Sequence, residues 1–169
     1  MDKYQTFTPR FFALLIDAFI FLPIGIFDEW FKEAQFPQVF FYFWLPVANL
    51  AAPIYTLVMH GLYGQTLGKM AMRVKVLDVS ENPITFKHAF LREFPQLIIN
   101  FSLIFISLPV PSESNEFNLF SDINLGKLLM IMMLTWGIAD IIIFLTNKKR
   151  RALHDYLAGT VVIRWNEEQ

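Results

Sequence analysis

Phe11-Phe-Ala-Leu-Leu-Ile-Asp17-Ala-Phe-Ile-Phe-Leu-Pro-Ile-Gly-Ile-Phe27 is an apolar stretch interrupted by one carboxylate. A hydrocarbon core about 30 Å thick needs roughly 17 to 25 helical residues, because lipid offers no partner to backbone N–H and C=O groups. Three more runs of this kind follow, at 36–59, 94–110 and 125–145. They predict an all-α membrane protein with four transmembrane helices, organised as a single domain over residues 1–169. Four buried helices of a soluble protein would need a polar shell. A chain that is 55% hydrophobic, with 19 Phe and a mean hydropathy of +0.43, has too little polar sequence to supply one.

Working outward from the first run, residues 1–10 followed by apolar sequence superficially resemble a secretory signal. Asp28, Glu29, Trp30 and Phe31 come next, with no small-residue cleavage pattern, so the segment reads as a retained first span. The basic residues sort by interval. Lys3 and Arg10 precede the first run, and Lys69, Arg73, Lys75, Lys87 and Arg92 lie between the second and third. Lys148, Lys149, Arg150, Arg151 and Arg164 follow the fourth, whereas the interval after the third holds Glu113, Glu116 and Asp122. Basic residues of short loops stay in the cytoplasm. The expected topology is therefore multi-pass in the cell (inner) membrane, with both termini, loop 60–93 and tail 146–169 cytoplasmic.

A formal net charge of −1 argues against a nucleic-acid partner, which requires a basic excess. The absence of cysteine excludes disulfides, a thiolate nucleophile and Cys-based metal sites. His60, His88 and His154 lack metal-ligand spacing, and no nucleophile, base and orienting group stand at motif spacing. Neither a cofactor nor an enzymatic activity is expected.

The loop and tail carry their own pattern. Arg73-Val-Lys-Val-Leu-Asp78 alternates at the two-residue period of a half-buried strand, followed by turn residues Ser80 to Pro83. Gly159-Thr-Val-Val-Ile-Arg-Trp165 is also strand-like, so the two segments are expected to pair in a small sheet beneath the bilayer. Thr85 suits an N-cap for a polar helical entrance, 86–93, leading into the third span. Pro46 and Pro53 are expected to bend or interrupt the second span, while Pro37 and Pro95 suit first turns. Trp30 and Trp165 read as interfacial anchors.

A mid-span Asp costs about 2.5 to 3.5 kcal/mol to insert, so Asp17 should face the bundle and have a partner. Arg10, seven residues earlier and roughly 10 Å along the helix, is the nearest candidate in sequence. Asp140 stands at similar depth in the fourth run. Two such carboxylates placed together could bind or relay a cation or proton. The plainer reading is that Asp17 fixes helix register and Asp140 points toward head groups. Asn49, His60 and Asn100 read as interhelical hydrogen-bond partners.

Gly64-Gln-Thr66-Leu-Gly68-Lys69 fails as a phosphate loop. Its glycine spacing is one short, and Met70 replaces the hydroxyl residue. Taken with Pro9-Arg-Phe-Phe-Ala-Leu-Leu-Ile-Asp17 near the start and Arg151-Ala-Leu-His154-Asp155-Tyr-Leu-Ala-Gly-Thr160 near the end, it resembles the RDD family. The three blocks cover nearly the whole chain in the family's order. The resemblance implies that Arg10 and Asp17 match the family's arginine and first aspartate, that Asp155 matches the second, and that Asp140 competes for that role. It also implies a small multi-pass protein, with cation/proton exchange suggested for some members.

Two functions are carried forward. One is a small cation or proton transporter, or a subunit of one, using Arg10, Asp17 and a second aspartate. Four short helices offer little internal room, so a second copy of the chain would enclose the path. The other is a non-transporting membrane scaffold whose loop and tail bind a partner.

Overall fold

The computed structural model describes residues 3–34, 36–107, 125–147 and 149–165. The interval with Glu113, Glu116 and Asp122, the end of the third apolar run at 108–110, and Lys148 lie outside them. The described chain is mostly helical. Four long helices arise where the apolar runs place them: α1 (Phe7–Glu33), α2 (Gln38–Tyr63), α4 (Phe86–Ser107) and α5 (Leu125–Thr146). Two five-residue helices, α3 (Leu67–Ala71) and α6 (Leu153–Leu157), and two strands, β1 (Val74–Asp78) and β2 (Thr160–Arg164), complete the order.

Among the described residues two helices, α1 and α2, are long and apolar enough to cross a membrane, and only 6% and 11% of their apolar windows are buried. The core helix of a soluble protein would show the reverse. Phe19, Phe43, Leu62 and, on α4, Phe105 at 78% exposure turn outward. A continuous apolar outer surface is stable only in an apolar solvent.

The buried residues collect instead in a cap built on the sheet. β1 and β2 pair antiparallel from Val74↔Arg164 to Asp78↔Thr160, as the alternating patterns of the two segments predict. One sheet face buries Val74, Val76 and Val162 with Ile84, and the other buries Leu77, Val161 and Ile163 against Tyr4 and Trp165. Trp165 is therefore a cap residue with the Lys75 ammonium 4.4 Å from its ring centre, not a free interfacial anchor. The N-terminal segment is fastened to the same sheet. Arg164 N–H donates to the Lys3 carbonyl at 3.0 Å, and the Arg164 side chain donates to the Gln5 carbonyl at 3.0 Å.

Several local expectations need correction. Pro46 and Pro53 do not interrupt the second long helix, because the remaining i→i−4 bonds hold the segment together, which leaves bending as the open part of that expectation. Pro95 is interior to α4, not in its first turn, since the polar entrance and the third apolar run form one helix beginning at Phe86. Asn49 and Asn100 donate to carbonyls of their own helices, Leu45 and Gln96, at 2.8 Å each, which spares them a partner on another helix. Thr85 precedes α4 as expected, and its hydroxyl meets His88 Nδ1 at 3.0 Å.

Because burial is concentrated in the cap, Val162→Ala should destabilise the protein by about 2 kcal/mol. Phe105→Ala should leave thermal unfolding in detergent nearly unchanged. Circular dichroism melts of the two variants check this contrast.

Candidate functional site

The charged residues converge where the helices meet the cap, in two fastenings and a bridge. The first fastening centres on Asp155 of α6, which is fully buried. Its Oδ2 accepts from Arg10 Nη1 of α1 at 2.8 Å and from the Ala152 N–H at 3.0 Å. Its Oδ1 accepts from Arg92 Nη1 of α4 in a close ion pair and from the Thr160 hydroxyl at 3.3 Å. Arg10 is braced further by Thr6 Oγ1 at 3.1 Å, by the Arg150 carbonyl at 3.2 Å, and by the Phe144 ring. Burial alone would raise the Asp155 carboxyl. The Arg92 and Arg10 guanidiniums overcome that penalty and hold it well below the usual carboxylate range.

The bridge brings in α5. Asp140 Oδ1 lies 2.9 Å from His154 Nδ1 and accepts the His154 backbone N–H at 3.3 Å. On the other side of the ring, Arg92 Nη2 is 2.9 Å from His154 Nε2. A guanidinium can only donate, so Nε2 must accept, and the ring proton belongs on Nδ1 facing Asp140. His154 thereby links Asp140 to Arg92 and, through it, to Asp155.

The second fastening explains the Gly64 to Lys69 block residue by residue. Gly64 ends α2 in the left-handed conformation at φ 70°, with its N–H on the His60 carbonyl at 3.0 Å. Thr66 caps α3 by accepting the Lys69 N–H at 3.3 Å and donates its hydroxyl to Asp17 Oδ2 at 2.5 Å. Asp17 Oδ1 accepts the Gly68 N–H at 2.8 Å and the Tyr55 hydroxyl at 2.9 Å. Gly68 packs directly on α1, where a methyl group would run into the Ala13 carbonyl oxygen and approach Asp17 Cγ. Lys69 turns the other way and meets His60 Nε2 at 2.6 Å.

Arg10, the nearest cation to Asp17 in sequence, does not pair with it, and the partners of Asp17 come from another helix and a turn. Arg10 is drawn to Asp155, while Asp17 is satisfied by hydroxyls and a backbone N–H from α2 and the α3 turn. Asp17 and Asp140 bond to different partners. Residue order places Arg92 among the loop cations and does not single it out, nor does it reveal the contact of His60 with Glu93. The signal was available in part. Arg92-Glu93 stands two polar residues deep against the third apolar run, where charge is costly without partners.

Asp155→Asn leaves two guanidiniums without their counter-charge and should cost about 3 to 5 kcal/mol. Asp17→Asn removes one acceptor from a hydroxyl and backbone cluster and should cost about 1 to 3 kcal/mol. The depressed Asp155 carboxyl contributes stability that is complete above its unfolded value near 3.8 and is lost as pH falls toward its folded one. Melting temperature should therefore drop on acidification below about pH 4, and Asp155→Asn should flatten that part of the profile. Gly68→Ala should cost about 1 to 3 kcal/mol, because the obstacle is backbone and cannot rotate away.

One comparison with known proteins finds a match. The model of the RDD family matches residues 4–159, nearly the whole chain, and its span contains Arg10, Asp17, the Gly64 to Lys69 turn and Asp155. No curated protein and no solved structure matches. A match of that extent, over residues that interlock in one site, places this chain in the RDD family.

Proposed function

We propose that the chain is a four-span scaffold of the cell (inner) membrane, with both termini cytoplasmic, whose Arg and Asp residues lock a small cytoplasmic cap onto the helix bundle. The observation that carries this reading is the occupancy of the aspartates. Both carboxylate oxygens of Asp155 and both of Asp17 are already taken by donors from other elements of the same chain. A cation would have to displace those donors, and Arg10 and Arg92 already supply the positive charge around Asp155.

The sheet supports the topology. β1 and β2 must lie on one side of the membrane, and residues 3–5 bond to the same strand. The chain therefore crosses an even number of times between residue 5 and β1, and again between β1 and β2. Two helices, α1 with α2 and α4 with α5, fall in each interval. The basic residues of the cap support a cytoplasmic side for it. Lipid is the solvent of the outer surfaces, and the cap is the part offered to a protein partner. The reading includes no enzymatic step.

One observation favours cation or proton transport instead. Asp17 stands in an open groove between α1 and α2 whose lining includes Leu14, Phe21, Ile26, Ala52 and Thr56, with Glu29 toward its far end. A second copy of the chain would enclose that groove.

Cation flux into vesicles carrying the parent or Asp17→Asn separates the two readings. The scaffold predicts flux no greater than in protein-free vesicles for both proteins. Flux in the parent that is lost in a folded Asp17→Asn establishes transport. For topology, the cysteine-free chain allows single-cysteine labelling with an impermeant maleimide. Ser114→Cys should label from outside intact cells, and Ser80→Cys only after permeabilisation.

A further inference from the structure

A second group of titratable residues stands apart from both fastenings. His60 of α2 is 2% exposed, and its Nε2 lies 2.6 Å from Lys69 Nζ of the α3 turn. Its Nδ1 is buried without a hydrogen-bond partner among the described residues. Glu93 Oε1 of α4 is 3.4 Å from that nitrogen, within ion-pair distance but too poorly aligned for a hydrogen bond. An N···N contact holds one proton. With Lys69 as the ammonium donor, Nε2 accepts, and the imidazole's own proton sits on Nδ1 toward Glu93. The three residues thus form an ordered line, amine to imidazole to carboxylate, with one transferable proton at Nζ and another at Nδ1.

The surroundings bias that proton toward departure. Lys69 is faced by Arg92 and Arg10, with Glu93 and Asp155 opposing them, and His60 is faced by Lys69, Arg92 and Glu93. Burial, then the positive charges of Arg92 and Arg10, hold the Lys69 ammonium well below the usual lysine value of 10.5. No carboxylate contacts Lys69 Nζ directly among the described ion pairs. A role confined to structure would be met better by such a partner.

We propose that Lys69, His60 and Glu93 form a proton-exchange site at the cytoplasmic end of α2. In the releasing direction the Nζ–H bond breaks as an N–H bond forms at His60 Nε2. The Nδ1 proton passes to Glu93 Oε1, and Glu93, whose side chain is 14% exposed, gives it to water. Lys69 is left as the neutral amine, and the site has lost one positive charge. The reverse sequence takes up one proton. The site uses side chains other than those of the lock, since none of the three donates to Asp17 or Asp155 through its side chain, although Arg92 and Arg10 set the charge around Lys69.

The test is a pH titration of the full chain in nanodiscs, labelled with carbon-13 at lysine Cε and read by NMR. One lysine resonance should titrate at lower pH than all the other lysines. It should vanish in Lys69→Arg. Glu93→Gln should move its midpoint further down, because the carboxylate that favours the ammonium is gone, and His60→Gln should move it as well. If Lys69→Arg does not fold, the latter two variants identify the resonance. The proposal is overturned if all lysines titrate together, if the shifted resonance survives in Lys69→Arg, or if its midpoint is the same in Glu93→Gln and His60→Gln.

Discussion

The structure depends on one buried carboxylate. Asp155 is shut off from water, and an isolated ion in that position would cost several kcal/mol even after relaxation. It is tolerable only between two guanidiniums, and those belong to different helices, Arg10 on α1 and Arg92 on α4. The requirement works in both directions, since neither arginine finds another carboxylate among the described ion pairs. Assembly of α1, α4 and α6 is thus a single event in which three charges are satisfied together or not at all. His154 extends the requirement to α5 through Asp140.

The Asp17 fastening follows different physics. Its donors are a phenol, a hydroxyl and a backbone N–H, all brought within reach because Gly68 lets the α3 turn lie directly on α1. Shape comes first here, and charge second. The Asp155 cluster is a matter of counter-charge and specifies which elements meet. The Asp17 cluster is a matter of close approach and specifies how near they come. Between them, Lys69 is turned away from both aspartates toward His60.

Below the cap the balance changes. The long helices leave their apolar side chains outward, so hydrophobic burial among them contributes little to holding them together, and polar contacts at the cap carry more of the specificity than in a soluble bundle. Val74, Val76, Val161 and Val162 are completely buried within the sheet, which gives the polar clasp a rigid backing. The same sheet joins residues 3–5, the central loop and the tail, segments distant in sequence.

Much of this was legible from residue order alone. Apolar length located the four long helices, since backbone satisfaction in lipid demands long helices whatever their neighbours. The two-residue alternation in 73–78 and 159–165 located the strands, because a pleat alternates its faces by geometry. The three sequence blocks placed the chain in its family and marked Arg10, Asp17, the Gly64 to Lys69 turn and Asp155 as residues that belong together. What the order of residues could not decide was who meets whom. Arg10 is seven residues from Asp17 and 145 from Asp155, yet it pairs with the distant one, while the oxygens of Asp17 are filled by neutral donors from α2 and the α3 turn. Arg92 and the line from Lys69 through His60 to Glu93 were hidden for the same reason. Element type and length answer to local geometry and solvent, whereas the choice among counter-ions is made by desolvation in three dimensions, once packing has set which donors arrive within 3 Å.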